Sequence, residues 1–294
     1  MLDIINDIQK KIENKYIEPN HSLRPNLCVI VTKEEQRLKD EDSYIKSLTK
    51  AAQKYGVNID FCEVDSADIF QAQDAIYKKA RWSDSCHGVL ALPSYGSLNS
   101  KLYRAIPVSL DIDGANPISY LRLLEGDTLA APCTALACAA ILKEFFTVYS
   151  EERKLKGQSV VIVNRSMRVG RPLAELCLQM NLTPTICHSY SRVVDLVNSN
   201  TRALVTAIGQ PNSFAPKDFN WSYYSSYYPK LVIDVGMNVD SNGKLVGDFN
   251  NLDEDGEKIM YYVTPVPGGV GKLTTTFLMA KLFNNARKEF EDLC

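Results

Sequence analysis

The chain has 294 residues, with 33 Lys and Arg against 35 Asp and Glu, a formal charge of -2, and 45% hydrophobic and 23% charged residues. This balance gives no general attraction to nucleic acid or to an anionic membrane, and no uninterrupted apolar run reaches the roughly 20 residues that span a bilayer. The length exceeds one typical domain, so two α/β lobes are expected.

Residues 1–16, MLDIINDIQKKIENKY, set Leu2, Ile5, Ile8 and Ile12 on one helical face, an amphipathic helix rather than a signal peptide, so a cytoplasmic protein is expected. Pro25-Asn26-Leu27 leads into a buried strand at 28–31 and then a charged loop to residue 42. Asp42 or Ser43 can cap a helix over 43–56 that stops at Gly56. A strand at 57–64, a helix at 67–82 and a strand at 87–93 ending at Pro93 follow. Strands alternating with helices predict a parallel sheet. Asp111-Ile112-Asp113-Gly114 reads as a turn, in which Asp113 alone would be an ordinary solvated turn residue. Helices at 117–126 and 133–149 lead to a surface segment at 150–158, and a second alternating set begins there.

That set opens on SVVIVNRSMRVGRP (159–172), where a β-branched run ends in Asn164-Arg165-Ser166 and Val169-Gly170-Arg171-Pro172 opens a helix over 169–180. This is how a strand delivers a helix N-terminus to a phosphate, although the G-x-G-x-x-G fingerprint is absent. Strands follow at 183–188, 203–211, 231–238 and 260–267, with an aromatic loop at 220–230 whose four tyrosines and Trp221 read as local packing. The final glycine loop (Gly268, Gly269, Gly271) lacks the glycine and hydroxyl that a Walker motif needs at Val266 and Leu273. It implies close backbone approach, to a ligand or to other protein. The eight cysteines contain no C-x-x-C pair and read as free thiols, with neither disulfide nor zinc, and His87 and His188 read as structural histidines.

Taken together, Asn164-Arg165-Ser166 with Val169-Gly170 and Pro172, CHS at 187–189, IGQP at 208–211, IDVGMN at 233–238, VGD at 246–248 and TPVPGGVG at 264–271 resemble, in order and spacing, the bifunctional methylenetetrahydrofolate dehydrogenase/methenyltetrahydrofolate cyclohydrolase family. The first half adds Tyr44-Ile45, Lys50-Ala51-Ala52, HGVLALP, DIDG and PCT. The resemblance implies an N-terminal α/β folate lobe (1–130), a Rossmann-like NAD(P)-binding lobe (131–271) and a C-terminal helix (272–294) returning to the first lobe. The implied reaction is oxidation of methylenetetrahydrofolate by NAD(P), followed by hydrolysis of the methenyl cation. A homodimer is also implied, with neither nucleic acid nor membrane as partner and no metal.

By the same resemblance, Tyr44 and Asp113 are catalytic positions. Tyr44, Leu48, Leu92, Asp113, Pro267, Gly268, Gly269, Val270 and Gly271 are substrate positions, and Asn164, Arg165, Ser166, Ser189 and Met237 hold the cofactor. Arg165 favours NADP over NAD, because a guanidinium suits a bidentate phosphate contact. Departures from the family pattern concentrate in the first half. Leu48 stands where the Y-x-x-x-K motif has its lysine, Ala91 where glutamine is expected and Ala135 where proline follows PCT; in the second half Asn164 replaces a glycine and Lys272 a proline. Lys46 and Lys50 lie about 200° round the helix from position 48, so neither substitutes. The leading expectation is a dehydrogenase with cyclohydrolase activity lost or strongly reduced. A non-catalytic relative that binds dinucleotide or folate, and an NAD(P) oxidoreductase of other specificity, stand beside it.

Overall fold

The structure, a computed structural model, describes residues 1–32, 43–65, 68–82, 86–92, 98–149, 156–219, 230–252 and 262–293. The charged loop after Thr32, Pro93, residues 150–155 and the aromatic loop with Trp221 lie outside the described residues. The chain forms two compact units, one of Lys10–Cys133 with Thr275–Cys294 and one of Met1–Gln9 with Thr134–Thr274. Residues 1–9 therefore group with the later half of the chain, whereas the sequence reading set them in the first lobe.

Helix α1 (Leu2–Ile12) is followed in the first unit by β1 (Asn26–Thr32), α2 (Ser43–Tyr55), β2 (Asn58–Val64), α3 (Ile69–Trp82), β3 (Gly88–Ala91), α4 (Asn99–Ala105) and α5 (Pro117–Leu124). The strands form a parallel sheet in the order β2-β1-β3. Side chains on β1 alternate between two faces, as the pleat requires. Leu27, Val29 and Val31 pack with Leu48, Leu278 and Leu282, while Cys28 and Ile30 pack with Ile69, Ala72 and Ile76. Helix α4 has no counterpart in the sequence reading: with seven residues and only Leu102 fully buried, it shows too few turns for a period. Helix α5 starts as its residues dictate, with Pro117 in the first turn and Asn116 Oδ1 accepting the Ile118 amide at 2.8 Å.

The second unit contains α6 (Cys133–Tyr149) from Thr134 on, β4 (Ser159–Val163), α7 (Gly170–Gln179), β5 (Thr183–Cys187), the single turn α8 (Val193–Leu196), β6 (Thr201–Thr206), β7 (Leu231–Asp234), and the antiparallel ribbon β8 (Asn238–Val239) with β9 (Leu245–Val246). Its main sheet is parallel, in the order β5-β4-β6-β7. Successive connections leave β4 on opposite sides, which creates a crevice at the carboxyl ends of the strands. The expected strand at 203–211 ends at Thr206, because the Ile208, Gly209 and Gln210 amides turn to the Asp248 carboxylate. The strand expected at 260–267 is reduced, among the described residues, to a parallel bridge between Val232 and Val263. The last helix, α9 (Val270–Leu293), begins in this unit, and from Thr275 onward it belongs to the first, the return expected of it.

Candidate active site

Residues after three strands of the second unit converge on a cavity of about 590 Å³: Asn164 and Arg165 after β4, His188 and Ser189 after β5, Ala207 and Ile208 after β6. Arg165 and Ser189 are exposed to it. Asn164 Nδ2 donates to the Ala207 carbonyl at 2.6 Å and ties β4 to the neighbouring loop. Its Oδ1 accepts the Ser166 amide at 2.8 Å and the Gly170 amide at 3.0 Å. The Arg171 amide donates to the Ser166 carbonyl, and Pro172 has no amide proton. The first turn of α7 is thus capped from within its own chain. The amides that open α7 are therefore satisfied within the chain, and the helix N-terminus does not present them free to a phosphate as the strand-to-helix turn suggested. A Cβ at Gly170 would lie 1.9 Å from the Asn164 carbonyl oxygen, so only glycine allows the helix to start here.

The IDVGMN and VGD segments resolve into a pair of buried aspartates. Asp234 accepts the Gly236 amide at 2.9 Å, the Asp248 amide at 3.0 Å and the Phe249 amide at 2.9 Å. Asp248 accepts the Ile208, Gly209 and Gln210 amides and the Asn238 side-chain amide at 2.9 Å. One carboxylate therefore fixes the β8–β9 ribbon and the other fixes the loop that walls the cavity. Burial pushes the Asp234 carboxyl up, and the Phe249, Asp248 and Gly236 amides oppose it. Cβ atoms at Gly236 and Gly247 would fall 2.2 Å and 1.8 Å from these carboxylates, which accounts for both glycines. No sequence signal marked the aspartates as partners; their separation in the chain hides the pairing.

In the glycine loop, Gly268 has φ +99° and Gly269 leaves no room for a Cβ, which would sit 2.4 Å from the Pro265 carbonyl oxygen. Backbone conformation and packing explain these two, whereas a Cβ on Gly271 would meet nothing within 4 Å. Pro267 precedes Gly268 in the loop, and Val270 is buried as α9 begins. Lys272, in place of proline, donates from Nζ to Asn6 Oδ1 at 2.8 Å.

Not every expected cofactor residue reaches the cavity. Asn164, Arg165 and Ser189 line it together; Ser166 and Met237 do not. Ser166 Oγ accepts the Val169 amide at 3.1 Å, and Met237 is half-exposed. His188, read as structural, lines the cavity as well, and its Nδ1 accepts the Tyr190 amide at 3.2 Å. His87 Nδ1 accepts the Asn26 amide at 3.0 Å, a structural contact.

In the first unit, Asp113 is only 5% exposed, so its reading as a solvated turn residue is corrected. In the same turn, Asp111 accepts the Ala115 and Asn116 amides and the Ser119 hydroxyl at 2.6–3.0 Å. Gly114 has φ +61°, and its Cβ would meet the Ala130 carbonyl oxygen at 2.5 Å. Tyr44 and Leu92 are half-buried against the core. Leu48 has no exposed surface and packs among Val31, Leu90 and Phe283. This removes it from the residues open to a ligand. Lys46 and Lys50 are exposed.

A four-stranded parallel sheet with a crevice at its carboxyl ends, entered by an arginine and small polar groups, defines a dinucleotide-binding protein of the Rossmann type. The dinucleotide fits here on two counts: the cavity has the volume of a cofactor site, and Arg165 presents an exposed cation. Residues 132–290 match the model of the tetrahydrofolate dehydrogenase/cyclohydrolase NAD(P)-binding domain. The chain is 32% identical to the bifunctional protein FolD of Dictyoglomus thermophilum over 96% of its length and 93% of the relative's. It is also 32% identical to that of Rickettsia massiliae over 99% and 93%. Among solved structures, FolD from Campylobacter jejuni superposes with a TM-score of 0.79 at 26% identity, covering 98% of each chain. A methylenetetrahydrofolate dehydrogenase from the silkworm Bombyx mori gives 0.77 at 27% identity, covering 99% and 97%. The protein belongs to the tetrahydrofolate dehydrogenase/cyclohydrolase family.

Proposed function

We propose that the protein oxidises methylenetetrahydrofolate to methenyltetrahydrofolate with NADP, NAD being the alternative acceptor, and that it hydrolyses the product weakly or not at all. The observation that carries the first part is the cavity at the ends of β4, β5 and β6 with Arg165 and Ser189 open to it, in a chain of this family. A bound nicotinamide supplies the hydride acceptor. The substrate's flanking nitrogens stabilise the developing cation, so the chain's own work is to bind, align and exclude water. Arg165 and Ser189 take the ribose phosphate, with Asn164, Ser166 and Met237 supporting the cofactor. Asp113 accepts from the pterin ring, with Tyr44, Leu92 and residues 267–271 as the other substrate positions and residues 10–133 as the folate-binding part.

Hydrolysis differs, because it needs a group to activate or orient water. Leu48 is a buried isobutyl group where the family motif has lysine. A cytoplasmic homodimer belongs to the same reading. Leu178, Ile186 and Val194, all at least 40% exposed in the second unit, supply apolar surface for a partner copy. Among the described residues no helix is long and apolar enough to cross a membrane.

The test is a purified sample mixed with methylenetetrahydrofolate and NADP, following methenyl absorbance. Accumulating methenyl product is expected; its absence would leave a binding protein without turnover. Supplying methenyltetrahydrofolate directly then isolates the second step. Decay well above the spontaneous rate would overturn the claim about Leu48.

A further inference from the structure

The first unit also encloses a cavity of about 510 Å³, lined by none of the residues assigned above to folate or dinucleotide. One face of α9 forms a wall, since Phe277, Lys281 and Asn284 recur at helical spacing. Lys281 is 8% exposed, and among the described residues its ammonium has one hydrogen-bond partner, the Ala131 carbonyl at 2.7 Å. An ammonium carries three donors, so two are left for whatever enters. The half-buried Asn284 amide lines the same cavity and makes no hydrogen bond among the described residues. Other lining charges are already engaged. Arg122 donates to Asp127 at 2.5 Å, and Asp111 accepts three donors of its own turn. Phe277 and Leu129 give an apolar wall.

We propose that this cavity binds a small organic monoanion, a carboxylate on an apolar body, with Lys281 and Asn284 holding the carboxylate and Phe277 and Leu129 the body. A buried ammonium short of acceptors is costly, and a carboxylate supplies them. A dianion such as phosphate is disfavoured, because two carboxylates, Asp111 and Asp127, share the lining with a single unpaired cation.

Calorimetric titration of the whole protein with biphenyl-4-carboxylate and with biphenyl-4-carboxamide tests this. The acid should bind at least about tenfold more tightly than the amide, the scale of a charge-assisted hydrogen bond. Lys281→Met should erase that difference, and Leu129→Trp, which fills the cavity, should abolish binding of both. Asn284→Asp places a carboxylate beside the ammonium and should weaken the acid at least about tenfold; being half-buried, it keeps the test valid if Lys281→Met does not fold. Equal affinity for acid and amide, no binding of either, displacement by an equal concentration of inorganic phosphate, or unchanged affinity in Leu129→Trp would overturn the proposal.

Discussion

Arg165 and Leu48 show how differently single residues bear on the reading. Arg165 is exposed at the cavity beyond β4, β5 and β6, the proposed cofactor site. Arg165→Ala should weaken NADP roughly tenfold to a hundredfold, the range for a charge-assisted hydrogen bond, while hardly changing NAD. Titration of both cofactors checks this, and equal losses would remove the phosphate assignment. Leu48 has the opposite environment, a core position with no exposed surface. Restoring the family lysine by Leu48→Lys buries an ammonium among aliphatic groups, at a cost on the order of several kcal/mol. A lower denaturation midpoint is expected, and the folded variant should regain hydrolysis only where the core rearranges to free the amine. An unchanged midpoint would mean that the site accepts charge readily. The two residues also mark what was legible. Arg165 stood out by its place after a strand, whereas the burial of Leu48 depends on β1 and α9 closing over it.

At the scale of elements, the strand-to-helix turn after β4 is held by its own Asn164, and the loop after β6 by a side chain distant in sequence. Asp248 gathers the amides of Ile208, Gly209 and Gln210 and the Asn238 side chain. Asp248→Ala would leave this buried set without its acceptor, so a loss of about 3 kcal/mol or more is expected, with weakened cofactor binding as the loop relaxes. Chemical denaturation and cofactor titration check the two effects. A variant that kept both values would show that the loop does not need this carboxylate. Asn164 supplies a second case, because it caps α7 and ties β4 to Ala207. Asn164→Ala should cost about 1 kcal/mol, the usual net value of a lost hydrogen bond, and a stability curve indistinguishable from wild type would contradict that role. The helix start was legible from Val169-Gly170-Arg171-Pro172. Its internal cap was not, since in sequence Asn164 reads as the end of a strand and as a cofactor position, with nothing to pair its side chain with the Gly170 amide.

For the molecule as a whole, Lys230 links stability to pH. Burial, and then the nearby Arg202 guanidinium, push its ammonium down from 10.5 to about 8. In the folded chain the proton leaves near pH 8, and in the unfolded chain near 10.5. Between these values the unfolded state binds more protons, so stability rises with pH across that window. Relative to Lys230→Gln, the wild type should gain stability between about pH 8 and about pH 10, measured by denaturation midpoints; a parallel pair of curves would refute the assignment. The sequence by itself determined the alternation of strands and helices, the parallel sheets and the family. Those follow from local periodicity and from contiguous motifs such as PVPGGVG, which survive without knowing what touches what. Tertiary structure alone decided that Asp111 gathers the turn amides and that Asp113 is buried, that Asp234 and Asp248 brace the loops around the β6 cavity, and that Leu48 is core. The Asp234 and Asp248 bracing and the burial of Leu48 depend on residues far apart in the chain, and even the local Asp111 turn has its hydrogen-bond partners only once the backbone has folded.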